Sequence, residues 1–266
     1  MTHSLFGRYT NLIRFISNWQ AHFKQKRNKQ YESMDITTRG NNITFSVPTR
    51  SLYMVFKEIF MSDFYRIRQL VKILPENPVI VDIGGNAGYF NMMLFSQIDS
   101  AKVIAYEPIY ENYKLFQENV RRNSIMTNKV SVFNMAVTGT RIDEVTIYKE
   151  VENNNSVTAS VYNDFSKDNF NVIKVKAITL EEILTSNNLD RVDVLKLDCE
   201  GSEYPIIYET PKQVWDKVKV VYMEDHPLDK DKRNHDSAVS YLQSLGFHCD
   251  SKLADNDCYA VLATRK

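Results

Sequence analysis

The sequence predicts an α/β fold, a doubly wound parallel sheet preceded by an N-terminal helical extension, on three observations. First, from residue 79 onward short aliphatic runs alternate with stretches of helical periodicity, the rhythm of parallel strands joined by crossover helices. Second, in Val79-Ile80-Val81-Asp82-Ile83-Gly84-Gly85-Asn86-Ala87-Gly88-Tyr89-Phe90 an apolar run meets an acid and glycines and then continues as a helix. Third, two later apolar runs end the same way, at Asp198-Cys199-Glu200-Gly201 and at Glu224-Asp225-His226.

The elements follow in order. Residues 1–30 place Leu5, Phe6, Tyr9, Leu12, Ile13, Phe15, Ile16, Trp19 and Phe23 on a rough helical stripe. Arg8, Arg14, Lys24, Lys26, Arg27 and Lys29 accompany it with no acid, so this head is a basic amphipathic segment. It either lies on a membrane surface or a partner, or packs on the domain behind it. We take 1–50 as an extension and 51–266 as the main domain. A short strand pair is expected around 43–47, and residues 51–74 read as one or two helices with Tyr53, Phe56, Phe60 and Leu70 on the buried side, closed by Pro75. Strands at 79–83, 102–107 and 130–137 alternate with helices at 88–98 and 109–123. Residues 142–178 break the rhythm, because β-rich runs at 145–148 and 172–175 flank a polar, Asn-rich loop at 150–171. A loop of that length in a domain points to a substrate lid. Alternation resumes with a helix at 180–188, a strand at 192–198, a helix from about 202, a strand at 218–224 and a helix at 235–245. The chain closes with a strand pair near 247–252 and 258–263.

Composition narrows the function. The 266 residues are 43% hydrophobic with formal charge zero, so outside the basic head the chain is net negative by six, which disfavours a nucleic-acid enzyme. Cys199, Cys249 and Cys258 are odd in number and lack C-x-x-C spacing, so no disulfide framework or zinc site is encoded and a reducing cytoplasm fits. No run approaches the roughly 18 apolar residues that cross a bilayer.

The chemistry is expected at the strand ends. Gly84, Gly85 and Gly88 give a sharp turn whose helix points free N–H groups at a ligand. Glu107, 25 residues beyond Asp82 at the end of the next strand, suits a carboxylate that accepts both hydroxyls of a ribose. Pro108 stops that strand, and Ile109 with Met135, Ala136 and Val137 offers apolar faces for an adenine. The dinucleotide fingerprint needs glycine where Asn86 stands, so a pyrophosphate grip is disfavoured. Asp82, Gly84 and Gly88 instead fit the Asp-x-Gly-x-x-x-Gly loop of class I S-adenosylmethionine methyltransferases. Asp198 and Glu200 should lie beside the cofactor's reactive end, where a carboxylate helps hold a sulfonium's positive charge. Glu203 is either a helix-start acid or a substrate contact. Glu224 and His226 are the leading candidates for a general base toward a hydroxyl, with Glu200 third. No metal ligand is assigned.

Together these segments resemble the FkbM family of S-adenosylmethionine-dependent methyltransferases over roughly residues 56–264. The resemblance rests on the lead-in at 60–65, Val-Asp-Ile-Gly-Gly-Asn-Ala-Gly-Tyr-Phe from Val81, Ala-Tyr-Glu-Pro from Ala105, and Ala-Ile-Thr-Leu-Glu-Glu-Ile-Leu from Ala177. It continues in Leu-Lys-Leu-Asp-Cys-Glu-Gly-Ser-Glu from Leu195 and Met-Glu-Asp-His from Met223. It implies a class I Rossmann-like sheet of seven strands with an antiparallel last strand, cofactor held by Gly84, Asn86, Gly88 and Glu107, and methylation of an oxygen. Gly85 stands where the family more often has alanine, and Cys199 where it usually has valine; neither change removes a charge. The expected activity is O-methylation of a hydroxyl on a small polar acceptor, a sugar, glycan or secondary metabolite. Two alternatives stand beside it, a nicotinamide-dependent oxidoreductase and a non-catalytic cofactor-binding module recruited to membranes by residues 1–30.

Overall fold

The computed structural model describes residues 5–150, 159–160, 170–255 and 258–265. Two short strands, β1 (Met34–Thr37) and β2 (Thr44–Val47), form an antiparallel pair ahead of the main sheet. The aliphatic runs then give three parallel strands, β3 (Val79–Ile83), β4 (Lys102–Tyr106) and β5 (Val130–Phe133). The chain next leaves the sheet through β6 (Ala136–Thr138), β7 (Glu144–Glu150), β8 (Ala159–Ser160) and β9 (Phe170–Thr179), which form a second sheet in the order β6-β9-β7-β8. It returns with β10 (Val194–Leu197) and β11 (Val220–Asp225), and ends with β12 (His248–Asp255) and β13 (Cys258–Thr264). The main sheet runs β12-β13-β11-β10-β3-β4-β5, with β13 antiparallel to both neighbours. This is a seven-stranded doubly wound sheet whose last strand is reversed.

From β3 the chain builds outward to β4 and β5, and later from β10 outward to β11. The order therefore reverses between β3 and β10, and a crevice opens at their carboxyl ends. Each face of the sheet carries its own apolar layer. Along β3, Ile80 belongs to the cluster that holds Phe56, Phe60, Phe90 and Met93, whereas Val81 and Ile83 belong to the one that holds Ile104, Leu195, Trp215 and Leu242. The alternation is the two-residue side-chain period of a strand.

Two segments differ from the pattern read in the sequence, and the head takes its packed alternative. The strand expected over 130–137 divides into β5 and β6, because the Asn134 side chain donates to the carbonyls of Glu107 (2.9 Å) and Pro108 (2.8 Å) and turns the chain out of the sheet. The expected helical stretch 51–74 is a helix at Arg50–Phe56, a π-helical turn at Lys57–Met61 and a helix at Ile67–Ile73. Arg66 sits in the left-handed region (φ 46°) at the start of the last of these. The head forms two helices, Leu5–Phe15 and Gln20–Arg27. Leu12, Phe15 and Ile16 are at most 2% exposed and share one buried cluster with Phe45, Phe56 and Phe60, while Phe6 is 82% exposed. Burying those three side chains contributes about 6 kcal/mol. The expected lid, 150–171, lies outside the described residues apart from β8 and the ends of β7 and β9. Among the described residues no helix is long and apolar enough to cross a membrane.

Candidate active site

The glycine loop is shaped first by its neighbours. Gly84 has φ +78°, and a Cβ there would lie 1.7 Å from the Asp198 carbonyl oxygen, so the ends of β3 and β10 meet backbone to backbone. Gly88 (φ +83°) opens the helix Tyr89–Gln97, and a Cβ there would lie 2.2 Å from the Phe116 ring. The N–H groups of Gly84 and Gly85 both donate to the Tyr106 carbonyl at 3.0 Å, binding the loop to the end of β4. Asn86, also left-handed at φ 48°, is a residue type that tolerates this region.

Glu107, one residue beyond β4, is 4% exposed. Its Oε2 accepts the Asn86 N–H and its Oε1 the Ile109 N–H, each at 2.8 Å. Burial pushes its pKa up to about 7, against the pull of those two N–H donors. Each oxygen keeps a second lone pair for a ligand hydroxyl. The carboxylate lines a cavity of about 370 Å3 at the switch point, together with Pro108, Ile109, Met135, Ala136 and Val137.

Across β3, the same cavity is walled by Lys196, Asp198, Glu200 and Glu224. Parallel register places Lys196 beside Asp82, and its Nζ lies 3.2 Å from Asp82 Oδ1, 3.2 Å from Asp198 Oδ2 and 2.9 Å from the Gly84 carbonyl oxygen. Burial disfavours the ammonium, but Asp198 and Asp82 outweigh it and hold the Lys196 pKa above its ordinary value. Burial likewise opposes ionisation of Asp198, yet Lys196 and His226 hold its carboxyl below the usual range. The Tyr65 hydroxyl donates to Asp198 Oδ2 at 2.5 Å, and Lys196 Nζ sits 5.5 Å from the Tyr65 ring centre.

Glu203 is fully buried and accepts the N–H groups of Cys199 (2.7 Å) and Gly201 (2.6 Å), so it clamps the loop after β10. The loop is bent by Glu200, which has φ 54°. His226 lies 3.4 Å from Glu203, 3.6 Å from Glu200 and 3.6 Å from Glu224. Burial disfavours the imidazolium, but contacts with Cys258, Glu203 and Glu224 prevail and raise its pKa well above the ordinary value. Glu200 is pushed up to about 8 by burial, opposed by His226 and reinforced by Asp198 and Glu224. Cys258 Sγ lies 3.3 Å from Glu224 Oε1, and Glu224, His226 and Cys258 bring one ligand atom each to within 4.8 Å of one another. A divalent transition metal would need the neutral imidazole there, against the imidazolium that the surrounding groups favour.

Of the residues singled out in the sequence, Gly84, Gly85, Asn86, Glu107, Pro108, Ala136, Asp198, Glu200 and Glu224 line the cavity. Asp82, Gly88 and His226 stand behind its wall: Asp82 holds Lys196 and accepts from Asn91 Nδ2 at 2.5 Å, and His226 braces the acids. Sequence reasoning gave no role to Lys196 or Tyr65. The signal for Lys196 was a lone charge inside an apolar run, whereas nothing local marks Tyr65.

Residues 82–249 match the methyltransferase FkbM domain. The chain belongs to the FkbM methyltransferase family. It is 24% identical over 206 residues to Methyltransferase 1 of Beauveria bassiana (strain ARSEF 2860), covering 73% of this chain and 80% of that protein. It is 23% identical over 193 residues to Methyltransferase sdnD of Sordaria araneosa, covering 64% of this chain and 73% of that protein. Among solved structures it is similar to precorrin-6y C5,15-methyltransferase of Geobacter metallireducens GS-15, at TM-score 0.47 and 12% identity, covering 77% and 89% of the two chains. This FkbM chain is an S-adenosylmethionine-dependent methyltransferase, which displaces the nicotinamide alternative.

Proposed function

We propose that the enzyme methylates a hydroxyl oxygen of a small polar acceptor, and that the crevice at the carboxyl ends of β3, β4, β10 and β11 is where it does so. The observation that carries this reading is the asymmetry of the cavity wall. On the β4 side stand one anchored carboxylate and apolar faces; on the β10 and β11 side stand Asp198, Glu200 and Glu224. The residues present fit S-adenosylmethionine. Glu107 would accept the ribose hydroxyls, Ile109, Met135 and Ala136 would flank the adenine, and the acids would face the sulfonium. Counting Asp82 and Glu203 behind the wall, five carboxyl groups on that side face two cations, Lys196 and His226, and four outnumber two even while Glu200 holds its proton, so a further positive charge is welcome there. The bound donor supplies an activated methyl group.

The chain's own part is to orient the acceptor and take its proton. Cys258, Glu203 and Glu224 favour the imidazolium form of His226, in which both ring nitrogens donate. Glu200 lines the cavity and, with its pKa near 8, is matched to accept a hydroxyl proton close to neutrality. We assign it as the base, with Glu224 beside it and His226 bracing both. On this reading the protein works in the cytoplasm, supported by three free cysteines. The test is transfer of labelled methyl from S-adenosylmethionine to a panel of sugars and polyols, with O-methyl products identified by mass spectrometry. Products methylated only at nitrogen or carbon would overturn the hydroxyl assignment.

A further inference from the structure

A second cavity, of about 340 Å3, lies between the two N-terminal helices and the helical segment Arg50–Phe56 with its π-helical continuation. Its wall carries five cations, Arg8, Lys26, Lys29, Arg50 and Lys57, and neither aspartate nor glutamate. Among the described residues none of the five forms an ion pair, although other lysines and arginines do, as Lys196 does with Asp82 and Arg122 with Asp35. Like charges gathered without a counter-charge disfavour the compact state unless an anion joins them. Neighbouring groups feel these charges as well, though burial acts on them more. Burial and then Lys26, Lys57 and Arg8 push His22 down to about 4, and burial and then Arg8, Arg50 and Lys26 lower Lys57.

A second observation points to a ligand. His22 lines this cavity, is 4% exposed, and its Nε2 has no hydrogen-bond partner among the described residues. Its Nδ1 lies 2.8 Å from the Tyr53 hydroxyl oxygen. When Tyr53 donates to Nδ1, the ring proton sits on Nε2, and a buried donor without an acceptor is costly. A third observation gives the place in the reaction. Met54, half exposed at the rim, lines both this cavity and the one at the switch point.

We propose that the basic cavity binds a phosphate group of the methyl acceptor, so that the substrate is a phosphorylated polar small molecule reaching across Met54 from this anchor to the methylated hydroxyl. The proposal rests on the O-methyltransferase reading for the position of that hydroxyl. Arginine forks and lysine ammoniums are the groups that hold phosphate oxygens by charge-assisted hydrogen bonds, and a di- or trianion suits five cations better than a carboxylate does.

The test titrates inorganic pyrophosphate into the full chain by calorimetry, with and without S-adenosylhomocysteine. It compares the wild type with the double variant Arg8→Ser, Lys57→Ser and with Lys29→Glu, an exposed position whose reversal spares the packing. Saturable pyrophosphate binding, weakened at least tenfold in both variants while S-adenosylhomocysteine affinity stays within twofold, is the expected result. Absent binding, or binding that neither variant weakens, would overturn it. Flotation with phosphatidylserine vesicles separates the other source of phosphate. Vesicle binding that both variants abolish and pyrophosphate fails to displace would make the cavity a membrane-surface site and overturn the acceptor assignment. If the wild type takes up pyrophosphate but no S-adenosylhomocysteine, the methyltransferase reading fails separately and the ligand is not an acceptor.

Discussion

Glu200 is the residue on which the proposed chemistry turns, and its environment makes a signed forecast. A base with pKa about 8 works only once its proton is gone, so kcat/KM should rise with pH through about 8. Glu200→Gln should remove that rise and lower kcat by about 100-fold to 10,000-fold. The same shift acts on stability in the opposite sense. The folded state holds this proton above the ordinary value of 4.5, so the contribution is full below pH 4.5 and is lost as pH climbs through about 8. Thermal melting across pH 5–9 should therefore slope downward less steeply in Glu200→Gln than in the wild type. At Glu107, truncation to alanine removes a charged acceptor for two ribose hydroxyls and should weaken S-adenosylhomocysteine by at least about 1.5 kcal/mol, read by calorimetry. Unchanged affinity would remove Glu107 from the site. Such acids were legible in the sequence because each ends an apolar strand. Lys196 and Tyr65 were not: Lys196 meets Asp82 only through the register of β10 on β3, and Tyr65 reaches Asp198 from 133 positions away.

Among the elements, the junction of β3 and β10 carries most of the site, and its tolerance is small. Gly84→Ala would set a methyl 1.7 Å from the Asp198 carbonyl oxygen at a positive φ. By overpacking and left-handed strain together it should cost about 3 kcal/mol in urea unfolding. Lys196→Met leaves Asp82 as a buried charge, and Asp198 as a part-buried one, without the cation they share and should cost about 3 kcal/mol by the same measurement. A loss under 1 kcal/mol in either variant would show that the junction yields. The glycines announced a turn, but their reason lies in tertiary neighbours, the Asp198 carbonyl and the Phe116 ring, which no local pattern displays. The division of the strand expected over 130–137 was equally hidden, since Asn134 breaks it through carbonyls contributed by the end of β4.

Over the whole molecule, charge and packing give different divisions of the chain. The basic, acid-free head allowed either a surface-binding segment or a helix packed on the domain, and Leu12, Phe15 and Ile16 complete the cluster that contains Phe45, Phe56 and Phe60. Deleting residues 1–30 should therefore destabilise the remainder by about 5 kcal/mol or more and lower its melting midpoint. An unaltered midpoint would show that the head contributes nothing to the core. The order of strands and the rim on which their acids fall were legible because hydrophobic period and chain rhythm set them; which side chains touch was not, because contacts such as Tyr65 to Asp198 depend on the folded path between distant segments. The central claim is that acid-tipped strands on both sides of the switch point address one methyl donor. A crystal structure of the chain grown with S-adenosylhomocysteine tests it most directly. The account predicts the ribose hydroxyls on Glu107 and the sulfur beside Asp198, Glu200 and Glu224; the ligand lodged elsewhere, or reversed along the crevice, would contradict it.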